Sequence, residues 1–329
     1  MSPLKPMKYS ERLGVIEPDQ LRAVADRFGL GSIVNAYPPS GGLFGQNVML
    51  ETTAGRYVFR GNPHGHVQLT KERRVAAFIH ERSPLPAPWP YEVCDDTALF
   101  GWTYAVMPML AGKCGQDLWT TADEDTRVEL AASSGQALAM LHNATSSTFG
   151  PYDAQLDDFV AMDDFEAWWL ARFDEMRNLC RVVNALSTES ERFIDAVLER
   201  NVSALRDPFV PALVHHDFQP GNFNFAPTGN TYEPSGVFDL FEAYIADREE
   251  DLVRMLWWVK TDEQRQAFVA AYVGGNPLRE DAAERLELYA LADWLVIWEY
   301  GKRTGTWFEN TAFLDSARPV LANARKVVS

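Results

Sequence analysis

The chain has 329 residues, enough for roughly two domains and a sizeable core, with 47% hydrophobic and 23% charged residues. That balance excludes a small disulfide scaffold and global disorder. Thirty basic residues against 46 acidic ones give a net charge of −16, which repels phosphate backbones and anionic bilayers, so neither nucleic acid nor a membrane is an expected partner.

Taken in chain order, Glu17 to Gly29 predicts a helix, since Leu21, Val24, Ala25 and Phe28 recur at helical spacing after Pro18 and Gly29 ends the run. The glycine-rich stretch Ser40 to Gly45 then precedes two strand-like runs, Val48 to Thr52 and Arg56 to Arg60, joined through Ala54-Gly55. Leu69 to Arg82 returns to helical spacing, and Pro84, Pro86, Pro88 and Pro90 end it. Strands are expected near Tyr91 and from Trp102 to Met107.

After Gly112 the pattern becomes helical, most clearly from Asp123 to His142, and then at Phe165 to Val183, Ser190 to Leu205, Arg248 to Tyr272 and Asp281 to Tyr300. Two short strand-like runs, Asn222 to Ala226 and Ser235 to Phe238, interrupt it. The order predicts an α+β protein with a strand-rich lobe over residues 1–111 and a larger, mainly helical lobe over 112–329. No sequence feature sets the oligomeric state.

Cys94, Cys114 and Cys180 are isolated and odd in number, which fits a reducing cytoplasm better than a disulfide framework. No uncharged apolar run reaches the roughly 18 residues of a membrane span, and Met1 to Arg22 mixes charges with prolines where a signal peptide needs an apolar core. A protein neither exported by a signal peptide nor anchored is expected.

The chemistry concentrates in Leu213-Val214-His215-His216-Asp217-Phe218-Gln219-Pro220-Gly221-Asn222, followed 17 positions after Asn222 by Asp239. Asp217, Asn222 and Asp239 are the oxygen donors that a magnesium ion on nucleotide phosphates and a hydroxyl nucleophile require. Each alone is also an ordinary turn residue.

The segment resembles the aminoglycoside phosphotransferase and choline kinase-like group, relatives of the protein kinases, through His-x-Asp-x-x-x-x-Asn at His215, Asp217 and Asn222 and the run from Asp239 to Asp251-Leu252. The resemblance implies a two-lobed protein-kinase-like fold that transfers the γ-phosphate of ATP or GTP to a small-molecule hydroxyl, with Mg2+ as cofactor. It makes Asp217 the catalytic base, Asn222 and Asp239 the metal ligands, and His215 and Asp251 supports of the catalytic loop. For the nucleotide it implies Gly41 and Gly42 in the phosphate loop, Arg60 at the phosphates with Glu72 as its ion-pair partner, and a base-recognising connector of Met107, Pro108 and Leu110. A plain hairpin, a surface ion pair and an apolar strand are the structural alternatives for these three features. Where the group often reads His-Gly-Asp-Leu-His, this chain has His216 and Gln219 in place of the glycine and the second histidine.

Between Asp153 and Glu175 eight acids face the single arginine Arg172. Asp157, Asp158, Asp163 and Asp164, with Glu299 from the last long helix, are candidate acceptor contacts for a cationic amino sugar or aminoglycoside-like antibiotic. Asp293 is a further candidate, and a solvated acidic face is the alternative. The pairs Trp168-Trp169 and Trp257-Trp258 and the group Trp294 and Trp298 suit either ligand stacking or core packing.

Three other readings stand beside this one: a metabolic kinase of an amino alcohol, a catalytically silent nucleotide-binding pseudokinase, and a hydrolase using His64, His66, His215, His216 and Asp217 as metal ligands. No Walker-type loop, Gly-x-Ser-x-Gly elbow or His-Glu-x-x-His pair is present.

Overall fold

A computed structural model describes residues 5–39, 45–63, 65, 67–229, 231–308 and 311–328. Their backbone separates into two units. The first takes the chain up to Gly112 together with Tyr152–Asp158 and Ser235–Phe241; the second takes the rest.

The first unit begins with a two-stranded pair, β1 (Met7–Ser10) and β2 (Gly14–Ile16), followed by α1 (Pro18–Arg27). Its main sheet has five antiparallel strands, β3 (Ile33–Tyr37), β4 (Asn47–Thr52), β5 (Arg56–Asn62), β6 (Glu92–Cys94) and β7 (Thr103–Pro108), in the order β3-β4-β5-β7-β6. Alternation along β4 turns Val48 and Leu50 inward, where they meet Phe59, Tyr104 and Val106 and the buried face of α1, Leu21, Val24 and Ala25. The register sets Arg60 between Asn47 and Ala105. Between β5 and β6 runs α2 (Val67–Arg82), which buries Val75, Ala76 and Ile79 and, unusually for an acid, Glu72.

The second unit is built on helices. After β8 (Lys113–Cys114) come α3 (Gly115–Thr121) and α4 (Glu124–Leu141), the latter started by Asp123, whose side chain accepts the N–H of Thr126 at 2.9 Å. Next are α5 (Phe165–Val182), α6 (Thr188–Asn201), β9 (Ala212–Val214), β10 (Phe223–Thr228), β11 (Tyr244–Ala246), α7 (Leu252–Met255), α8 (Asp262–Val273), α9 (Ala282–Thr304) and α10 (Phe313–Arg325). The helices α4 and α8 pack so closely that a Cβ at Gly135 would collide with the carbonyl oxygen of Phe268. On α9, Leu286, Leu291, Trp294, Leu295 and Trp298 are buried, and Trp294 stacks on Trp257 with ring centroids 4.7 Å apart. Among the described residues no helix is long and apolar enough to cross a membrane.

The helix expected over Arg248 to Tyr272 is three pieces: a 3-10 turn at Arg248–Asp251, then α7, then α8. Thr261 starts α8 afresh by accepting the N–H of Gln264 at 3.2 Å, a local cap that outweighs the apolar periodicity running through it. The helix α10 carries Pro319 inside it, a residue that reads as a breaker in sequence.

Candidate active site

In the first unit, Arg60 stands on β5 and is 9% exposed. Its guanidinium donates to Glu72 at 2.8 Å, to Asn47 at 3.2 Å and to Asp239 at 3.3 Å. Burial works against the charge on Arg60, but Glu72 and Asp239 hold its pKa above the ordinary value. Glu72 is fixed in turn by Tyr91, whose hydroxyl donates at 2.6 Å, and by Gln68 at 3.0 Å. Asp239 is half-buried with φ +63, in the left-handed region that non-glycine residues occupy at a cost. Arg60 binds one of its carboxylate oxygens.

Met107 lies buried in β7 opposite Val58, Pro108 closes that strand, and Leu110 follows against Gly236, where a Cβ would stand 2.8 Å from its side chain. Gly41 and Gly42 lie outside the described residues.

In the second unit, β9 pairs with β11, Leu213 opposite Ile245, and delivers His215 fully buried at its end. His216 then takes φ +67, the left-handed turn for which glycine is the cheapest residue. The turn brings Asp217 out half-exposed, and a 3-10 turn at Pro220–Asn222 folds Asn222 back onto it. The Asn222 amide donates to the Asp217 carboxylate at 2.7 Å and to its backbone carbonyl at 2.8 Å. Gln219, standing where the resemblance would place a histidine, donates to both carboxylate oxygens at 3.2 Å. Arg254 from α7 approaches the same carboxylate at 3.4 Å and pairs with Asp293 of α9 at 2.7 Å. Burial opposes the Arg254 charge, yet Asp293 and Asp217 keep its pKa raised, while burial raises that of Asp293.

Behind the loop, the buried carboxylate of Asp251 accepts the backbone N–H groups of His215 and His216, each at 2.7 Å, and lies 3.2 Å from the His142 ring, whose other nitrogen is 3.0 Å from the Tyr272 hydroxyl. Asp251 therefore braces the loop backbone directly. A second close fit fixes the loop's far end: a Cβ at Gly115 would lie 2.8 Å from the carbonyl oxygen of Pro220.

Three acids of the acidic stretch are matched by arginines far away in sequence. Asp157 pairs with Arg73, Asp158 with Arg74 at 2.7 Å, and Glu166 with Arg206. Asp164 caps α5 by accepting the N–H of Ala167, and Glu299 binds Arg303 at 2.7 Å. Asp163 is exposed. Instead, a cavity of about 240 Å3 opens in the second unit among Trp169, Arg172, Glu175, His216, Glu250 and Asp293. Sequence reasoning missed Arg254, Glu250 and the loop-facing role of His142. Arg254 had a readable signal, since it stands one helical turn after Asp251.

Asn222 spends its amide hydrogens on Asp217, so its amide oxygen is left as a neutral oxygen donor, and Asp239 keeps one carboxylate oxygen without a hydrogen bond among the described residues. Each is, taken by itself, an oxygen donor of the hard kind that magnesium takes. His64 and His66 lie outside the described residues, and among the described ones no cluster of three or more His, Cys, Asp or Glu is placed to hold a metal ion.

The sequence model of the phosphotransferase enzyme family matches residues 36–288. The chain belongs to that family. Solved structures agree on the fold. A Ralstonia eutropha protein assigned to the aminoglycoside phosphotransferases is 16% identical, with a TM-score of 0.65 over 94% of this chain and 98% of that one. The GDP and kanamycin complex of APH(2")-IIIa is 17% identical, with a TM-score of 0.63 over 94% and 98%. A thermostable mutant of APH(4)-Ia, in ternary complex with ADP and hygromycin B, is 19% identical, with a TM-score of 0.63 over 93% and 97%. A comparison with curated sequences gives no match. The protein is thus a phosphotransferase with the kinase-like fold of these enzymes, which sets aside the histidine-metal hydrolase.

Proposed function

We propose that this phosphotransferase moves the γ-phosphoryl group of a nucleoside triphosphate, ATP or GTP, onto a hydroxyl of a small molecule in the cytoplasm. The observation that carries the reading is the grip on Asp217: its carboxylate is half-exposed, yet Asn222, Gln219 and Arg254 fix its direction. A carboxylate so held can orient an acceptor hydroxyl and take its proton, and phosphoryl transfer asks little more of a protein than positioning and charge neutralisation.

In this reading Arg60, steadied by Glu72, binds the triphosphate, and the Pro108 carbonyl and Leu110 N–H bind the base. Asn222 and Asp239 are the residues that would hold a metal ion, and magnesium, when bound, would supply charge neutralisation. Asp251 and His215 keep the loop backbone in place. The GDP, ADP and AMP-PNP named in the neighbours' complexes support a nucleotide co-substrate.

The test is magnesium-dependent nucleoside diphosphate release from ATP and GTP over amino sugars, amino alcohols and neutral hydroxyl compounds, with Asp217→Asn as control. Acceptor-dependent turnover that falls by about 10²-fold or more in Asp217→Asn supports the reading. Turnover unchanged by that substitution, or no nucleotide binding at all, overturns it.

A further inference from the structure

The 240 Å3 cavity has its frame in α5, through Trp169 and Phe173, and in α9, through Tyr289 and Ala292. Two of its lining residues tie it to the catalytic loop. His216 directly precedes Asp217, and Asp293 is joined to Asp217 through Arg254.

Its acids are mostly committed. Asp293 is held by Arg254 and by the indole N–H of Trp257 at 3.1 Å, while one oxygen of Glu250 accepts the Tyr244 hydroxyl at 2.6 Å. Glu175 alone among the lining acids makes no hydrogen bond or ion pair among the described residues. An amino sugar with several ammonium groups would find one free carboxylate there, and the cavity is smaller than the about 300–1,000 Å3 of a typical drug-sized pocket.

Two buried polar atoms are left over. Glu250, 8% exposed, has its Oε1 without a hydrogen-bond partner, and so has Arg172 its Nη1, which lies 3.9 Å from the other oxygen of Glu250, an ion pair too long for a hydrogen bond. The Arg172 guanidinium cannot readily turn away, because it lies over the Tyr244 ring at 3.9 Å and the Trp168 ring at 4.8 Å. One acceptor and one donor thus lack a hydrogen bond beside an aromatic wall, a demand that a single hydroxyl or amide group would meet.

We infer that this cavity seats the body of the acceptor, and that the acceptor is a compact, mainly apolar hydroxyl compound with one further neutral polar group that donates and accepts hydrogen bonds, not a polycationic amino sugar. The word acceptor rests on the phosphotransfer reading; the ligand chemistry rests on the cavity.

Calorimetric titration of the full chain with 3-phenylpropane-1,2-diol, N-(2-hydroxyethyl)benzamide, kanamycin and hygromycin B tests it. At least one compact probe should bind about tenfold more tightly than either amino sugar. At pH 8, where the parent carboxylate is ionised, Glu250→Gln should weaken that probe about tenfold through the lost charged partner, and Ala292→Phe, which fills the cavity without removing a polar group, should abolish binding with the fold intact by circular dichroism. Tighter binding of either amino sugar, no binding of both compact probes, or full affinity in Ala292→Phe overturns the inference. A kcat/KM on kanamycin above that on both compact probes also overturns it while upholding phosphotransfer. Compact probes that bind but accept no phosphate leave the cavity chemistry standing and count against the reaction.

Discussion

The side-chain amide of Asn222 donates to a carboxylate oxygen of Asp217 at 2.7 Å. With its second bond to the Asp217 carbonyl, the amide both aims the carboxylate and is itself aimed, its oxygen left over for a cation. Asn222→Asp keeps the shape, removes both donors and sets a second carboxylate against the first. Turnover should fall by about 10²-fold or more, with the far-ultraviolet circular dichroism of the parent. A near-parental kcat at saturating nucleotide would remove Asn222 from the mechanism.

Arg254 and Asp293 form a buried pair, the two side chains 14% and 5% exposed. Removing one partner leaves a buried charge, so Arg254→Met should cost about 3–5 kcal/mol in urea unfolding. Arg254→Met with Asp293→Leu removes both charges and should recover most of that loss. Turnover should not recover with it, because Asp217 still lacks the guanidinium. If the double variant regains both stability and rate, Arg254 serves only to neutralise Asp293.

Much of the frame was legible because it rests on local signals. The helix expected from Asp123 to His142 is α4 at Glu124–Leu141, and the one expected from Leu69 to Arg82 is α2 at Val67–Arg82. The Arg60–Glu72 contact also forms, at 2.8 Å. What stayed hidden depends on partners distant along the chain. The acids from Asp157 to Glu166 read as one negative field, yet Arg73, Arg74 and Arg206 neutralise three of them, and no local pattern carries that pairing. Arg172 and Glu250 look like surface residues in sequence; in the fold the second is buried and accepts the Tyr244 hydroxyl, and the first lies over the Tyr244 ring. The turn at His216 explains why glycine is common there in the group the loop resembles: the backbone needs φ +67.

Arg60 spreads its guanidinium over Asn47, Glu72 and Asp239. A lysine places one compact charge where that planar fork makes three contacts, so Arg60→Lys is not a conservative change. The variant should fold with a loss of about 1–2 kcal/mol, and its KM for the nucleotide should rise about tenfold. Initial-rate kinetics over nucleotide concentration at fixed magnesium measure it. An unchanged KM would mean that Arg60 holds Glu72 and Asp239 in place without touching phosphate.

Burial pushes the Glu250 carboxyl from the ordinary 4.5 up to about 7, against the pull of Arg172 and the Tyr244 hydroxyl and with help from Asp247 and Asp251. The folded protein therefore holds this proton more tightly than the unfolded chain between those two values. The stabilisation that proton binding gives is complete below about pH 4.5 and is lost as the pH rises to about 7. A shift of that size corresponds to about 3 kcal/mol. Glu250→Gln cannot ionise, so its stability relative to the parent should improve by roughly that amount between pH 4.5 and pH 8. The difference between variant and parent, taken by urea unfolding at each pH, cancels the titration of every other group to first order. A difference that stays flat across this window would show that Glu250 titrates alike in the folded and unfolded chain.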